Sequence, residues 1–396
     1  MAIITTDSDF LALCAEIQAA GRFAMDLEFI PERTYEPEIC LVQVATDKEA
    51  YIIDPYEVTD LMPLWRLVAD PDILAVLHAG DQDLDLMNTG SNLIPKNIFD
   101  TQIAAGFNGF GYPIGYGKLL SQLLNISISK SESFTDWTNR PLSPNQISYA
   151  LEDVAHLLEL HDKLMAQLKE RGRDQWAIDE CQRYTDPEFY AHDRSRDFMR
   201  IKGASSLNRR SLGVLKALSD WRHGEAERCN RPLKSIVADN VMFEFARHPP
   251  KSSTDVQRIR GFRPDQAKQY SGSILKAVEL GLKLPDSELP TWPASRIPSK
   301  REVLISDFLF TVLKILTFDE DIAAELVTTR STLEALVRNH FEGNLQEDRF
   351  PLLVGWRRVL VGEKVMDMLR GAEWKLQLKS RSHPSSLEGN GKRIED

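Results

Sequence analysis

Apolar residues in the first third of the chain come in short dense runs. FAMDLEF (23–29), flanked by Gly21 and Pro31, has the length and composition of a buried strand. EICLVQVAT (38–46) and AYIIDP (50–55) are two further β-rich runs, and the Asp47-Lys48-Glu49 between them suits a hairpin. ILAVLHAG (73–80) predicts a fourth strand, and NIFDTQIAAGFNG (97–109) starts as a strand edge and turns helical. Helical spacing runs through SDFLALCAEIQAA (8–20), with Ser8 placed to cap it, through LMPLWRLVAD (61–70), and through YGKLLSQLLN (116–125). Residues 143–172 predict one long helix, capped by Ser143 or Asn145 and ended by Gly172. Consecutive strands followed by strand–helix alternation make residues 1–172 a mixed α/β domain.

Beyond it the periodicity is helical throughout. A polar, irregular stretch over 173–208 reads as a linker. Residues 209–284 then carry four or five short helices. LPDSELPTWPASRIP (284–298) is proline-rich and predicts a second linker over 285–298, and 299–374 a second helical block. The last stretch, 375–396, is polar and predicts disorder.

With 396 residues the chain is too long for a single ordinary core, and 42% hydrophobic with 27% charged residues is ordinary globular composition. No apolar run approaches the ~20 residues of a membrane span. MAIITTDSDF lacks the basic start and apolar stretch of a signal peptide, and the four cysteines show no C-x-x-C pair. A reducing cytoplasm is the expected setting. The net charge of −11 hides an asymmetry. Residues 1–170 hold 10 Lys+Arg against 26 Asp+Glu, whereas 205–285 hold 15 against 8. An acidic region suits cations and a basic one suits phosphates.

The acidic positions carry the chemistry. In a strand, Asp26 and Glu28 point to one face, about 7 Å apart along the chain by the strand rise. Such a pair needs a counter-charge. An arginine partner or a divalent metal would supply it, and a solvated strand end would remove the need. LHAGDQDLDLM (77–87) brings Asp83 to the start of a helix after a strand, with Asp81 and Asp85 as competitors. Tyr149 and Asp153 are spaced i, i+4 on one face of the long helix, and Leu157 and Leu160 turn that face inward. Taken singly each has a bland explanation: a helix N-terminal residue, a core tyrosine, a buried ion-pair partner.

The order of these pieces resembles the tyrosine-bearing branch of the DEDD exonuclease superfamily, and within it the ribonuclease D family. The resemblance rests on DLEF (26–29), RTYEPEICLVQVA (33–45), HAGDQDL (78–84), WTNRPLS (137–143) and YALEDV (149–154). The family usually has DTEF where this chain has DLEF; Leu27 points away from the carboxylate face. LSDWRHGEAERCNRP (218–232) and IVADNVMFEFA (236–246) resemble the HRDC domain, a helical nucleic-acid-binding module, and residues 299–374 resemble a second HRDC-like domain.

The resemblance implies a ribonuclease H-like exonuclease domain with Asp26, Glu28, Asp83 and Asp153 as metal ligands and Tyr149 as the catalytic tyrosine. Four carboxylates suit two hard cations, Mg²⁺ or Mn²⁺, with Zn²⁺ or Co²⁺ as substitutes in vitro. It further implies 3′ to 5′ hydrolysis of RNA with release of nucleoside 5′-monophosphates, including tRNA 3′-end maturation, by a monomer without a membrane partner. Arg209, Arg210, Arg222, Arg228, Arg231 and Lys234 are the expected RNA contacts, or else a solvated helical face. A DNA exonuclease of the same superfamily and a non-catalytic RNA-binding scaffold are the competing readings.

Overall fold

The structure, a computed structural model, describes residues 2–128, 135–191, 193–292, 298–377 and 386–393. They fall into two compact units. One comprises Met1–Leu27, Leu41–Phe189 and Arg296–Asp396, the other Glu28–Cys40 and Tyr190–Ser295.

The first unit opens with β1 (Ala2–Ile4), α1 (Asp7–Ala20), β2 (Arg22–Ile30), β3 (Glu38–Ala45) and β4 (Ala50–Ile53). It continues with α2 (Met62–Val68), β5 (Leu74–Leu77), α3 (Asp81–Ser91), β6 (Ile98–Asp100), α4 (Thr101–Phe107) and α5 (Tyr116–Leu123). The sheet order is β1-β4-β3-β2-β5-β6. β3 and β4 pair antiparallel as the predicted hairpin, while β5 runs parallel to both β2 and β6. The mixed α/β expectation therefore holds, and β2 sits inside the sheet, where Phe23, Ala24 and Met25 are fully buried. The three-residue edge strand β1, parallel to β4, was not predicted. Thr6, not Ser8, caps α1, accepting from the Asp9 N–H.

The predicted single helix over 143–172 is two: α6 (Pro144–Ala155) and α7 (Leu157–Glu170). The chain leaves helical geometry at His156, with φ −110° and ψ 2°. Ser143 starts α6 in a capping box with Gln146, which satisfies two otherwise orphaned amides.

The stretch predicted as a linker over 173–208 is instead folded. It forms α8 (Asp174–Cys181) and a series of 3₁₀ turns whose Tyr184, Tyr190, Phe198 and Ile201 are buried. The apolar spacing there is too irregular for either period, so its core residues are hidden in a polar stretch.

In the second unit come α9 (Arg209–Cys229), α10 (Leu233–Ile236), α11 (Asp239–Arg247), α12 (Ser253–Arg258) and α13 (Pro264–Lys283). α9 and α13 approach so closely that a Cβ on Gly281 would stand 2.4 Å from the Val214 Cα. Leu215, Leu218, Met242, Phe245 and Ile274 fill the core. Segment 28–40 belongs to this unit: the Tyr35 hydroxyl lies 2.9 Å from His223 Nδ1, and Arg194 pairs with Glu36 at 2.8 Å.

The remaining helices, α14 (Lys300–Asp319), α15 (Ala324–Val327), α16 (Arg330–Phe341), α17 (Gly355–Arg357) and α18 (Glu363–Leu369), return to the first unit. The Ala323 N–H donates to the Gly106 carbonyl at 2.9 Å, Trp356 stacks on Trp176, and Arg357 pairs with Glu180 at 2.7 Å. A Cβ on Gly106 would collide with Leu326. β7 (Ala372–Gln377) and β8 (Ser386–Arg393) pair antiparallel in the tail predicted to be disordered; its other residues lie outside the described ones.

Candidate metal centre and nucleic-acid surface

Alternation along β2 buries Leu27 and leaves Asp26 and Glu28 half-exposed on the opposite side, as the strand period requires. α6 adds Asp153. One carboxylate oxygen from each of Asp26, Glu28 and Asp153 lies within 4.8 Å of the others. The boundary between the two units passes between Leu27 and Glu28, but β2 is continuous across it.

Asp83 stands outside that group of three but beside it. Its carboxyl accepts from its own N–H and from the Leu27 N–H, the amide between the two β2 carboxylates. Burial pushes it up to about 7. Asp153 is likewise pushed up to about 7 by burial, against a hydrogen bond from the Tyr149 side chain that favours the charged form. Carboxyls held this high mark a site short of positive charge.

Of the competitors for Asp83, Asp81 faces elsewhere: Arg183 Nη2 lies 2.5 Å from its Oδ1 and the Tyr184 hydroxyl 2.6 Å. Tyr149 is half-buried with its ring centroid 6.0 Å from that of Trp137. Trp137 belongs to a segment pinned by Arg140, whose Nη2 donates to Asp54 at 2.9 Å.

One neighbour went unnoticed in the sequence. Tyr116 on α5 donates to the Glu152 carbonyl at 3.1 Å, and its phenol is raised first by burial and then by the charges of Asp153 and Asp26. A tyrosine in an ordinary amphipathic helix carries no signal that it borders a carboxylate cluster. His78 bridges Thr101 Oγ1 and the Ile114 carbonyl at 2.9 Å each.

The six basic residues expected at the RNA do different jobs. Arg222 is only 4% exposed and its Nη1 donates to the Val237 carbonyl and Asp239, so burial takes it away from the surface a phosphate would meet. Its position in a basic helix suggested a surface that the fold does not give it. Arg209 donates to the carbonyls of Asp286 and Leu289, and Arg210 to Leu282, Leu284 and Asp286, so the two fasten the last turn of α13 and the segment after it. Arg228 pairs with Glu225 at 2.6 Å, and Arg231 is exposed. Lys234 alone of the six lines a groove of about 900 Å³, with Lys202, Arg258, Arg260, the ring of Phe243 and the carboxylates of Asp239 and Glu244.

A 3′-5′ exonuclease family profile matches residues 1–169, and an HRDC domain profile matches residues 211–278. Ribonuclease D of Zymomonas mobilis is 36% identical over 375 residues, covering 93% of this chain and 94% of that protein. Ribonuclease D of Gluconacetobacter diazotrophicus is 34% identical over 371 residues, 93% of each. Among solved structures, Escherichia coli RNase D, an exoribonuclease involved in structured RNA processing, superposes with a TM-score of 0.81 at 29% identity, covering 93% of this chain and 98% of that one. The catalytic core of RRP6 from Trypanosoma brucei shares the fold over 71% of this chain and 79% of its own, at a TM-score of 0.59 and 22% identity. An exonuclease domain followed by an HRDC domain, matched along nearly the full length of named relatives, places the chain in the ribonuclease D family as a 3′-5′ exoribonuclease.

Proposed function

We propose that Asp26, Glu28, Asp83 and Asp153 hold two divalent cations, Mg²⁺ or Mn²⁺, and that the enzyme trims RNA 3′ ends to nucleoside 5′-monophosphates, tRNA precursors included. The observation that carries this reading is the meeting of Asp26, Glu28 and Asp153 oxygens within 4.8 Å. The donor set fits: all are hard oxygen ligands, and a cation would offset the desolvation cost that raises Asp83 and Asp153. When bound, such a cation pair activates water and stabilises the leaving oxygen of an in-line phosphoryl displacement.

The chain's own residues orient the reactants. Tyr149, hydrogen-bonded to Asp153, is placed one helical turn away to direct a water toward the terminal phosphodiester. A phenol is a poor base at neutral pH, so its part is orientation. The acidic exonuclease domain repels RNA at long range. The groove of Lys202, Lys234, Arg258 and Arg260 supplies phosphate contacts, and the half-buried Phe243 ring supplies a stacking face. A monomer working in the cytoplasm completes the reading; no helix among the described residues is long and apolar enough to cross a membrane.

The test is incubation of 5′-labelled and 3′-labelled RNA with the full chain, with and without Mn²⁺. Expected are mononucleotides released at once from the 3′ label, a ladder shrinking from the 5′ label, and neither without metal. Equal shortening of a DNA oligonucleotide would favour the DNA exonuclease instead. Retention of RNA without products at any metal concentration would favour the scaffold.

A further inference from the structure

We infer that Tyr184 and Asp100, together with Arg183, are positioning residues for Asp83. This rests on the reading of Asp83 as a metal ligand.

The turn between β5 and α3 that delivers Asp83 is conformationally costly. Ala79 sits at φ +60°, a region that non-glycine residues seldom occupy. Gly80 leaves no room for a side chain, since a Cβ there would stand 2.7 Å from Leu77 Cδ2. No side chain of the turn caps α3. Its amides are held from outside by Asp100, the N-cap of α4, which is 1% exposed. Asp100 accepts from Ala79 N–H at 3.0 Å, Gly80 N–H at 3.2 Å, Gln102 N–H at 2.8 Å and the Tyr184 hydroxyl at 2.8 Å.

The same hydroxyl lies 2.6 Å from Asp81 Oδ1, so its single proton is shared between the two carboxylates, and Arg183 Nη2 donates to it at 2.9 Å. The two residues following Asp81 end at Asp83, whose carboxyl meets the Leu27 amide on β2. Tyr184 therefore grips the first turn of α3 at both sides: through Asp100 at the amides before it, and through Asp81 at its first residue. A buried four-donor carboxylate with a fully buried phenol over it is an expensive arrangement unless the geometry it fixes is used. The exonuclease profile ends at residue 169, so this support for the site comes from the turns that follow it.

The experiment is Mn²⁺ titration of the RNA-free full chain, following free Mn²⁺ by electron paramagnetic resonance, for wild type, Tyr184→Phe, Arg183→Met and Asp83→Asn. Circular dichroism serves as a folding control. Supporting ligands of metal sites typically change affinity about 10–100-fold. Expected for Tyr184→Phe is an apparent Kd raised about tenfold with the number of sites unchanged, and RNA hydrolysis recovered at high Mn²⁺. Arg183→Met, which removes an outer contact, is expected to give a several-fold rise, and it carries the test if Tyr184→Phe does not fold. Wild-type Mn²⁺ affinity in the folded variants, with Asp83→Asn impaired, would overturn the positioning role and leave the metal reading standing. Fewer sites at unchanged Kd would mark plain structural damage and overturn it too. Wild-type binding by Asp83→Asn would remove both ideas.

Discussion

Asp153 and Asp83 are both raised to about 7 by burial, against an ordinary carboxyl value of 3.8. In the folded, metal-free protein they keep protons that the unfolded chain releases from about pH 4 upward. Their contribution to stability is therefore present below pH 4 and lost as the pH rises through 7. A divalent cation binds the deprotonated carboxylates and reverses the trend. Thermal melts with and without Mn²⁺ should diverge increasingly between pH 5 and 8; a metal-induced rise in Tm independent of pH would contradict these two groups as ligands. Asp26→Asn is expected to lower kcat by at least 10²-fold while folding and RNA binding persist. Tyr149→Phe should slow the reaction with Mn²⁺ affinity retained, and wild-type turnover would remove its orienting role. Asp26 and Glu28 were legible because two charges in an apolar strand need a counter-charge. Asp83 was favoured over Asp81 only through the family resemblance, because the partners of Asp81, Arg183 and Tyr184, are distant in sequence and meet it only in the fold.

Among elements, β2 and the β3–β4 hairpin, each with one clear period, were read correctly, whereas the short helices expected over 209–284 include two long ones, α9 and α13. The break at His156 escaped because the apolar spacing runs on across it. The turns after α8 escaped because each buries a single aromatic without periodicity. Packing of α9 on α13 depends on Gly281, whose Cβ position is occupied by backbone of Val214. Overpacking of this kind costs about 1–3 kcal/mol. Gly281→Ala should therefore lower the urea midpoint, while Gly272→Ala, with open space around it on the same helix, should not. Equal effects would show that helix propensity, not packing, governs α13.

For the whole molecule, local pattern identified two helical blocks but not their unequal attachments. α14–α18 pack on the exonuclease domain through Trp356, Arg357 and the Gly106 carbonyl, joining residues about 150–250 positions apart. Deleting both blocks would strip that surface, so the RNA-binding share is better tested by point changes. Replacing Lys202, Lys234, Arg258 and Arg260 with alanine together should raise KM on structured RNA about tenfold or more and leave kcat on a short oligomer unchanged. The salt dependence of binding should also flatten, by roughly one unit of slope for each phosphate no longer neutralised. An unaltered KM would move the RNA path off this groove.

Nothing else in the chain matters if the acidic cluster does not take metal. Crystals of the protein with a short RNA and Mn²⁺, recorded at the manganese absorption edge, answer this. Two anomalous peaks about 3.5–4 Å apart, bounded by oxygens of Asp26, Glu28, Asp83 and Asp153, are expected. No peak there, with the terminal phosphodiester lying elsewhere, would contradict it.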